Sequence, residues 1–202
     1  MGDILVPEKG WIKNLKGIQV PTKQTWVFNS FGKVAVLFGR KEVPDIFKLL
    51  YLQPRVFWSW LYFASKMMPH GRLLSRDREI VILRVAWLCR CRYEWGQHIE
   101  IGLKNGLKDQ DVINISKGVE AFGDEKEKTL IQACNEMIQQ QTVSQQTLDV
   151  LNQYYTDQLL IELLLLIGHY QMLAGVINSS GLQLEESAEE VMADFNSRIQ
   201  KV

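Results

Sequence analysis

One stretch of the sequence, residues 76–107, most limits how the chain can fold. An almost continuous apolar run from Ile80 to Leu88 predicts a helix buried on most faces, with Ser75 as its N-cap. A second helix is predicted from about Arg92 to Lys104, because Asn105-Gly106 supplies a left-handed stop followed by a hydrophobic residue. The sequence therefore predicts two helices joined by a short turn.

Three side chains with reactive groups share one face of the second predicted helix. Cys91, Glu94 and His98 are spaced i, i+3 and i+7, which places a thiol, a carboxylate and an imidazole in one stripe. At the helix start, the helix dipole and the neighbouring Arg90 and Arg92 favour the thiolate form of Cys91. Cys91 is therefore a candidate reactive thiol, and an inert packed cysteine is the structural alternative.

His98 is the candidate proton donor and acceptor. With Glu94 one turn away, its imidazole would be oriented for proton transfer near neutral pH, although a lone helical histidine is usually structural. Glu79 begins the preceding helix, and counting from the turn places it about five residues, roughly 7.5 Å, beyond the level of His98. We expect Glu79 to join a relay only through a helix crossing or a water, or else to pair with Arg76 or Arg84.

The same stretch resembles the carboxymuconolactone decarboxylase family, which also contains the alkylhydroperoxidase D-like proteins. The resemblance extends over residues 43–186 and rests on Arg78-Glu79-Ile80-Val81-Ile82-Leu83-Arg84-Val85-Ala86, Tyr93-Glu94-Trp95, His98 and Gly106-Leu107. It implies an all-α fold, an alkylhydroperoxidase D-like helical bundle with two pseudo-repeated halves. It also implies a small-molecule substrate.

The family's peroxidase branch has a Cys-x-x-Cys-x-x-x-His motif. Glu79, Cys91 and His98 resemble its upstream glutamate, first cysteine and histidine, since Glu79 and Cys91 are twelve residues apart as in that branch. Glu94 stands where the second cysteine of the redox pair would be, and Glu-x-x-x-His resembles the decarboxylase-type members. The resemblance thus implies Glu79, Cys91, Glu94 and His98 as the catalytic set and leaves the reaction open.

Three functions are open at this point. The first is an enzyme that performs cofactor-free acid/base chemistry, a decarboxylation or lactone-type reaction, on a small organic substrate. The second is an alkylhydroperoxidase or peroxiredoxin-like antioxidant, in which a Cys91 thiolate attacks a peroxide and Cys89 or an outside thiol resolves the sulfenic acid. The third is a non-catalytic, ligand-binding oligomer, which the missing second cysteine favours.

The other two cysteines have simpler interpretations. On a continuous helix Cys89 and Cys91 would point about 200° apart, so a disulfide between them would need a break between the helices. Cys89 is otherwise a packing residue at a helix end. Cys134 has a core spacing and is interpreted as a buried apolar thiol.

Composition and charge argue against several other classes of protein. With 202 residues, 47% of them hydrophobic, the chain suits one globular domain or two halves sharing a core. A formal net charge of +0 gives no reason to expect nucleic acid or an acidic membrane as a partner, and Arg84 and Glu162 interrupt the longest apolar runs. We expect a cytoplasmic protein without signal peptide, disulfide framework, metal or cofactor, because the cysteines are odd in number and the histidines scattered.

Residues 1–42 are interpreted as an N-terminal arm and residues 43–202 as a helical domain. The arm is too apolar for a free tail, so we expect it to pack on the body or on a neighbouring subunit. Strand pairing between Thr25–Phe28 and Val34–Phe38 is one option for it. A large apolar surface and zero net charge predict a homo-oligomer: a dimer, trimer or hexamer.

Helix signals divide the domain. Pro54 separates two early helices, and a long apolar helix from Asp157 to about Asn178 should be central. Glu162 followed by Gly181-Leu182 faintly repeats Glu79 followed by Gly106-Leu107. Helix caps are predicted at four further positions: Asp109, Asp124, Ser144 and Ser187.

Overall fold

The computed structural model describes residues 3–13, 16–18, 20, 28 and 43–201. All regular structure within these residues is helical, which confirms the all-α prediction. The predicted strand pairing of Thr25–Phe28 with Val34–Phe38 lies outside the described residues, apart from Phe28, which is helical.

The described part of the chain forms nine α-helices and one short 3-10 helix at Val119–Ala121. The α-helices, in order, are α1 (Asp45–Leu50), α2 (Pro54–Ser65), α3 (Ser75–Leu88), α4 (Arg92–Lys104), α5 (Asp109–Lys117), α6 (Glu125–Gln140), α7 (Gln145–Leu151), α8 (Asp157–Ser180) and α9 (Glu186–Ile199).

Helix α3 is the centre of the bundle. It packs against α4, α6 and α8, and every residue from Asp77 to Ala86 is buried. Four successive residues, 80–83, have no exposed surface. Each such side chain stabilises the fold by about 1.5–3 kcal/mol relative to an exposed position. The sequence prediction of a helix buried on most faces is confirmed, although Ser75 is its first residue and Leu74 its N-cap.

Helix α4 ends as its sequence predicts. Gly106 adopts a φ of 93°, and the amide of Leu107 donates to the carbonyl of Gly102 at 2.9 Å. This is the hydrogen bond of a left-handed helix stop, and it brings the Leu107 side chain onto the helix. A methyl group added at Gly102 would come within 2.7 Å of that side chain. The stop therefore fixes both the length of α4 and the residue that packs behind it.

Two of the four predicted caps are confirmed. The side chains of Asp124 and Ser144 accept hydrogen bonds from amides in the first turns of α6 and α7. The prediction at Asp109 is wrong by one residue, because α5 already begins there and Lys108 is its N-cap. Local polar side chains thus set the starts of two helices in the second half of the chain.

The cap predicted at Ser187 is also wrong. Helix α9 begins at Glu186, and its N-cap is Glu185, which makes no side-chain cap hydrogen bond. The Glu185 carboxylate instead accepts a hydrogen bond from Tyr93 Oη at 2.5 Å. This contact ties the start of α9 to α4.

Helix α8 is central and strongly apolar. An 18-residue window of it has a mean hydropathy of 1.8, so by length and composition it would also pass for a membrane-crossing helix. Half of that window is buried inside the protein, as is common for a core helix. The sequence prediction treated Glu162 as an interruption. In the structure this carboxylate accepts hydrogen bonds from the amides of Arg72 and Leu73 at 2.7 and 3.0 Å.

The first described residues, 3–13, pack on the body over the turn between α3 and α4. Trp11 meets the ring of Trp87 edge-on, with 5.5 Å between centroids. The Asp3 carboxylate pairs with the guanidinium of Arg92 at 2.6 Å. Residues 3–13 therefore pack over the start of α4.

Candidate active site

A buried glutamate–histidine pair lies at the interface of α3 and α4. Glu79 Oε2 and His98 Nδ1 are 2.8 Å apart, Glu79 is fully buried, and His98 is 6% exposed. When the Glu79 carboxylate is ionised it can only accept, so Nδ1 carries a proton, and in a neutral imidazole the lone pair of Nε2 is then available. The pair thus presents a proton acceptor at the far side of the ring.

This direct contact corrects the expectation that Glu79 lies too far from His98. Helix α3 ends at Leu88 and α4 starts at Arg92, so Glu79 lies nine residues before one helix end and His98 six residues after the other start. Along the helix axes, Glu79 and His98 are then offset by about three residues, or about 4.5 Å, and their side chains can span this distance. The expected pairing of His98 with Glu94 is also wrong, since Glu79 holds the imidazole.

The predicted alternative partners of Glu79 are engaged elsewhere. Arg76 pairs with Asp111 and Glu127, and Arg84 donates to Asn135 and to backbone carbonyls. The cation beside Glu79 is its neighbour Arg78, whose Nε lies 3.5 Å from Glu79 Oε1. Arg78 was not a candidate partner of Glu79 from the sequence, because adjacent helix residues normally point apart.

Glu94 has a different environment from Glu79. Its carboxyl is buried, and neither oxygen has a hydrogen-bond partner of ordinary geometry among the described residues. Burial raises the pKa of Glu94 well above its usual range, and an interaction with the Cys91 thiol offsets only part of the shift. Burial therefore favours the neutral, proton-bearing form of this carboxyl.

The prediction of a Cys91 thiolate is wrong. Cys91 is the N-cap of α4, but it has no exposed surface, and burial followed by the nearby Glu94 carboxyl raises its pKa well above the usual value. The flanking arginine Arg92 points outward to Asp3 and Glu189. The loss of solvation therefore has a larger effect on the pKa of Cys91 than the helix dipole and the neighbouring arginines.

The break that a bridge between Cys89 and Cys91 would need is present. Cys89 caps the end of α3, and Arg90 turns the chain with a φ of 53°. Both cysteines are free thiols, and burial raises the pKa of Cys89 to about 12. Cys134 is buried in α6 as predicted.

Tyr170 of α8 was not selected from the sequence, yet it packs edge-on against His98 with 5.1 Å between ring centroids. The preceding residue, His169, is stacked on Trp60, and burial lowers its pKa to about 4. His169 is therefore a neutral core residue. The aromatic residues of α8 gave no sequence signal for this placement, because they lie in an apolar helix like any core residue.

Two other features of the described residues bear on ligands. No group of three or more metal-ligating side chains occurs among them. An open groove of about 490 Å³ lies beside the end of α3. Its lining residues are Ile12, Cys89, Gln171, Gly175, Asn178 and Ser179.

Part of the chain matches a known protein family. Residues 54–136, from α2 into α6 and including all four predicted site residues, match the model of the carboxymuconolactone decarboxylase family. This part of the chain is therefore similar to that family, as the resemblance in the sequence predicts. No curated protein sequence matches the chain.

Solved structures share the fold of this chain. An uncharacterised peroxidase-related protein from Silicibacter sp. TM1040 has a TM-score of 0.76 at 12% identity, covering 90% of this chain and 95% of that one. An alkylhydroperoxidase AhpD core protein from Ralstonia eutropha JMP134, also uncharacterised and peroxidase-related, has a TM-score of 0.71 at 14% identity, covering 88% and 94%.

A third structure is a protein of unknown function from Agrobacterium tumefaciens, named as a candidate antioxidant defence protein AhpD. Its TM-score is 0.60 at 15% identity, covering 68% of this chain and 95% of that one. At these identities the likeness shows the fold alone. The activity of this chain has to be argued from its own residues.

Proposed function

We propose that this chain is an enzyme that performs acid/base chemistry on a small organic substrate without a cofactor, a decarboxylation or lactone-type reaction. The observation that supports this most strongly is the 2.8 Å contact between Glu79 and His98 inside the bundle. His98 Nε2 takes a proton from the substrate or returns one. Glu79 fixes the orientation of the ring and stabilises the positive charge that forms on it.

Glu94 supports the same proposal. A neutral carboxylic acid on the same helix as His98 can donate a proton where an ionised one cannot. The buried Cys91 thiol, with its raised pKa, is a polar neighbour of this acid and not a nucleophile. The site then contains one base and one acid of different strength, as proton-transfer chemistry requires.

Turnover of a panel of small lactones and β-keto or unsaturated acids tests the proposal. His98→Ala should lower turnover of any accepted substrate by about 100-fold or more while leaving the fold intact. The other two histidines supply controls: the exposed His70→Ala should leave turnover unchanged, and the buried His169→Phe should alter stability more than turnover. Unchanged turnover in His98→Ala would remove the imidazole from the mechanism.

A thiol peroxidase is the second candidate, favoured by one observation: the turn at Arg90 allows Cys89 and Cys91 to approach each other outside a helix. The raised pKa values of both thiols oppose it. Glu94→Cys would restore the Cys-x-x-Cys-x-x-x-His pattern and should gain a reducible disulfide with Cys91 and thiol-dependent peroxide turnover. Mass mapping after mild peroxide treatment checks both proteins, and a facile Cys89–Cys91 disulfide in the parent would favour the peroxidase.

We further propose that the chain forms a symmetric oligomer through the outer face of α8. Ile161 is 59% exposed and Met172 50% exposed, and Leu165 and Val176 continue the same stripe. No lysine or arginine occurs anywhere on α8, so the stripe lacks the positive charge that favours an anionic membrane surface. A second copy of the same stripe matches it in chemistry.

Sedimentation at micromolar concentration tests this assembly. A dimer or a trimer-based species is expected, and Leu165→Glu should dissociate it. A monomeric wild-type chain would contradict the proposal, as would binding to neutral lipid vesicles through this face.

A further inference from the structure

Arg78 is a buried cation without a hydrogen bond to any residue that the structure describes. It is 5% exposed, and a guanidinium has five N–H groups that need acceptors. Its closest acidic atom, Glu79 Oε1, lies 3.5 Å from Nε, which is too long for a hydrogen bond. Arg78 Nε and Glu79 Oε1 are both buried without a partner in the described part of the chain.

The other buried arginine shows what is unusual about Arg78. Arg84 is 8% exposed, and its guanidinium donates to Asn135 Oδ1 at 2.9 Å and to the carbonyl of Ile115 at 2.8 Å. Among the described residues, the fold thus supplies internal acceptors to one buried guanidinium and none to the other. Burying N–H groups of a guanidinium without acceptors is costly even beside a carboxylate, which indicates a partner from outside the described residues.

The terminal nitrogens of Arg78 and the Nε2 atom of His98 make no hydrogen bond to a described residue. Of these two side chains, the buried atoms without partners include only Arg78 Nε. The other three nitrogens are therefore the atoms at which a ligand could meet both side chains.

Glu79 connects the two side chains. Its Oε1 faces Arg78 and its Oε2 faces His98, at 3.5 and 2.8 Å. One carboxylate therefore positions a cation and a base side by side. Its single negative charge is shared, so Arg78 retains the capacity to attract one more anion.

We propose that Arg78 binds the carboxylate of a small organic acid and holds its reacting carbon beside His98 Nε2. The planar fork of a guanidinium matches a carboxylate with two parallel hydrogen bonds. A single cation fits one negative charge better than the two of a phosphate monoester. The role of His98 in this statement rests on the proposed function, whereas the binding of an acid by Arg78 does not.

Matched probes test the inference in the full-length protein without turnover. Benzoate and benzamide have the same shape and differ in charge, and their binding is followed by the backbone amide resonances of α3 and α4 in NMR spectra. The wild type should bind benzoate at least ~10-fold more tightly than benzamide, since a hydrogen bond to a charged group is roughly twice as strong as a neutral one.

Two variants of Arg78 separate anion binding from folding. Arg78→Gln should bring the ratio of the two affinities to about one. Arg78→Lys retains the charge, so it should fold even where Gln does not, and should keep only part of the ratio because it lacks the fork. Arg198→Gln, which loses a surface pairing with Asp109, is the matched control and should keep the full ratio.

The absence of a benzoate preference in the wild type, with both probes bound equally or neither bound at millimolar concentration, would overturn the inference. An undiminished preference in both Arg78 variants would also overturn it. The variant His98→Ala distinguishes the inference about Arg78 from the proposed function. Loss of turnover with a retained preference for benzoate supports both. Retained turnover with retained preference defeats the acid/base proposal and leaves Arg78 as an anion site.

Discussion

Two helices of this bundle, α3 and α8, each carry a glutamate near the start of a long apolar run, and the two carboxylates have different partners. Glu79 binds an imidazole and lies beside a guanidinium, whereas Glu162 binds two backbone amides of residues 72–73. The same sequence pattern thus gives a carboxylate that contacts an imidazole on α3 and a carboxylate that binds loop amides on α8. The groups that surround each carboxylate in the folded protein, and not the sequence pattern, therefore decide its role.

The largest expected effect comes from exchanging each carboxylate for an amide. Glu79→Gln should reduce turnover of an accepted substrate by at least ~10-fold, because the amide cannot stabilise the imidazolium form of His98. Glu162→Gln should leave turnover within about twofold, since its carboxylate accepts from backbone amides away from the imidazole. Steady-state kinetics on both variants checks this, and equal losses would show that the two halves do not differ in function.

For stability we expect the opposite order, with Glu162 more important than Glu79. Glu162→Ala leaves the amides of Arg72 and Leu73 without their acceptor and should lower the free energy of unfolding by about 1–3 kcal/mol. Urea unfolding measures this loss. Asp157→Asn, at the exposed start of the same helix, is the matched control and should cost less than about 1 kcal/mol. A negligible effect at position 162 would mean that the loop finds other acceptors.

A third carboxyl, Glu94, sharpens the comparison because it has no such partner among the described residues. Its pKa is raised in the folded protein, so the folded state binds a proton more tightly than the unfolded state. The stability from this group is complete below the usual pKa of 4.5 and is lost as the pH rises above that value towards the raised pKa. The slope from one such group is at most about 1.4 kcal/mol per pH unit.

Glu94→Gln should remove that slope from the unfolding free energy measured between acidic and neutral pH. Glu100→Gln on the same helix, where the carboxylate pairs with Lys104 at the surface, should retain it. An identical slope in the Glu94 variant would indicate that the carboxyl is solvated in solution.

The smallest expected effect concerns the outer side of α8. A methyl group added at Gly175 would meet no atom within 4 Å, so Gly175→Ala should stabilise the isolated chain by about 0.5–1 kcal/mol. If this face packs closely on a second copy, the same change should weaken self-association. Gly96→Ala is the contrasting variant, since its methyl would lie 2.4 Å from Leu184 and should destabilise the fold. Thermal unfolding at several protein concentrations separates the two effects.

Local signals predicted the fold well. The Asn105-Gly106 stop gave the end of α4 correctly, and Pro54 and the caps at Asp124 and Ser144 marked real boundaries. Such signals work because capping and turn chemistry involve residues close together in the sequence. The start of α9 was missed because the carboxylate of Glu185 binds Tyr93, a partner 92 residues away.

The positions of the candidate residues on their helices were more predictable than the pairing of their side chains. The four residues Glu79, Cys91, Glu94 and His98 do lie on α3 and at the start and along α4. Their protonation and pairing depended on burial and on the offset of two helices, which a sequence does not display. The same holds for two arginines. Arg92 points outward, and the guanidinium of Arg78 has no acceptor among the described residues. Both features depend on the tertiary structure and not on the local sequence.

Arg92 pairs with residues near both ends of the described chain, and this affects the order in which contacts around the site can form. Its guanidinium binds Asp3 and Glu189, which are 89 and 97 residues away. During synthesis α3 and α4 can pair early, whereas α9 emerges from the ribosome later. The ion pair between Arg92 and Glu189, next to the turn that carries Cys91, can therefore form only after α9 has been made.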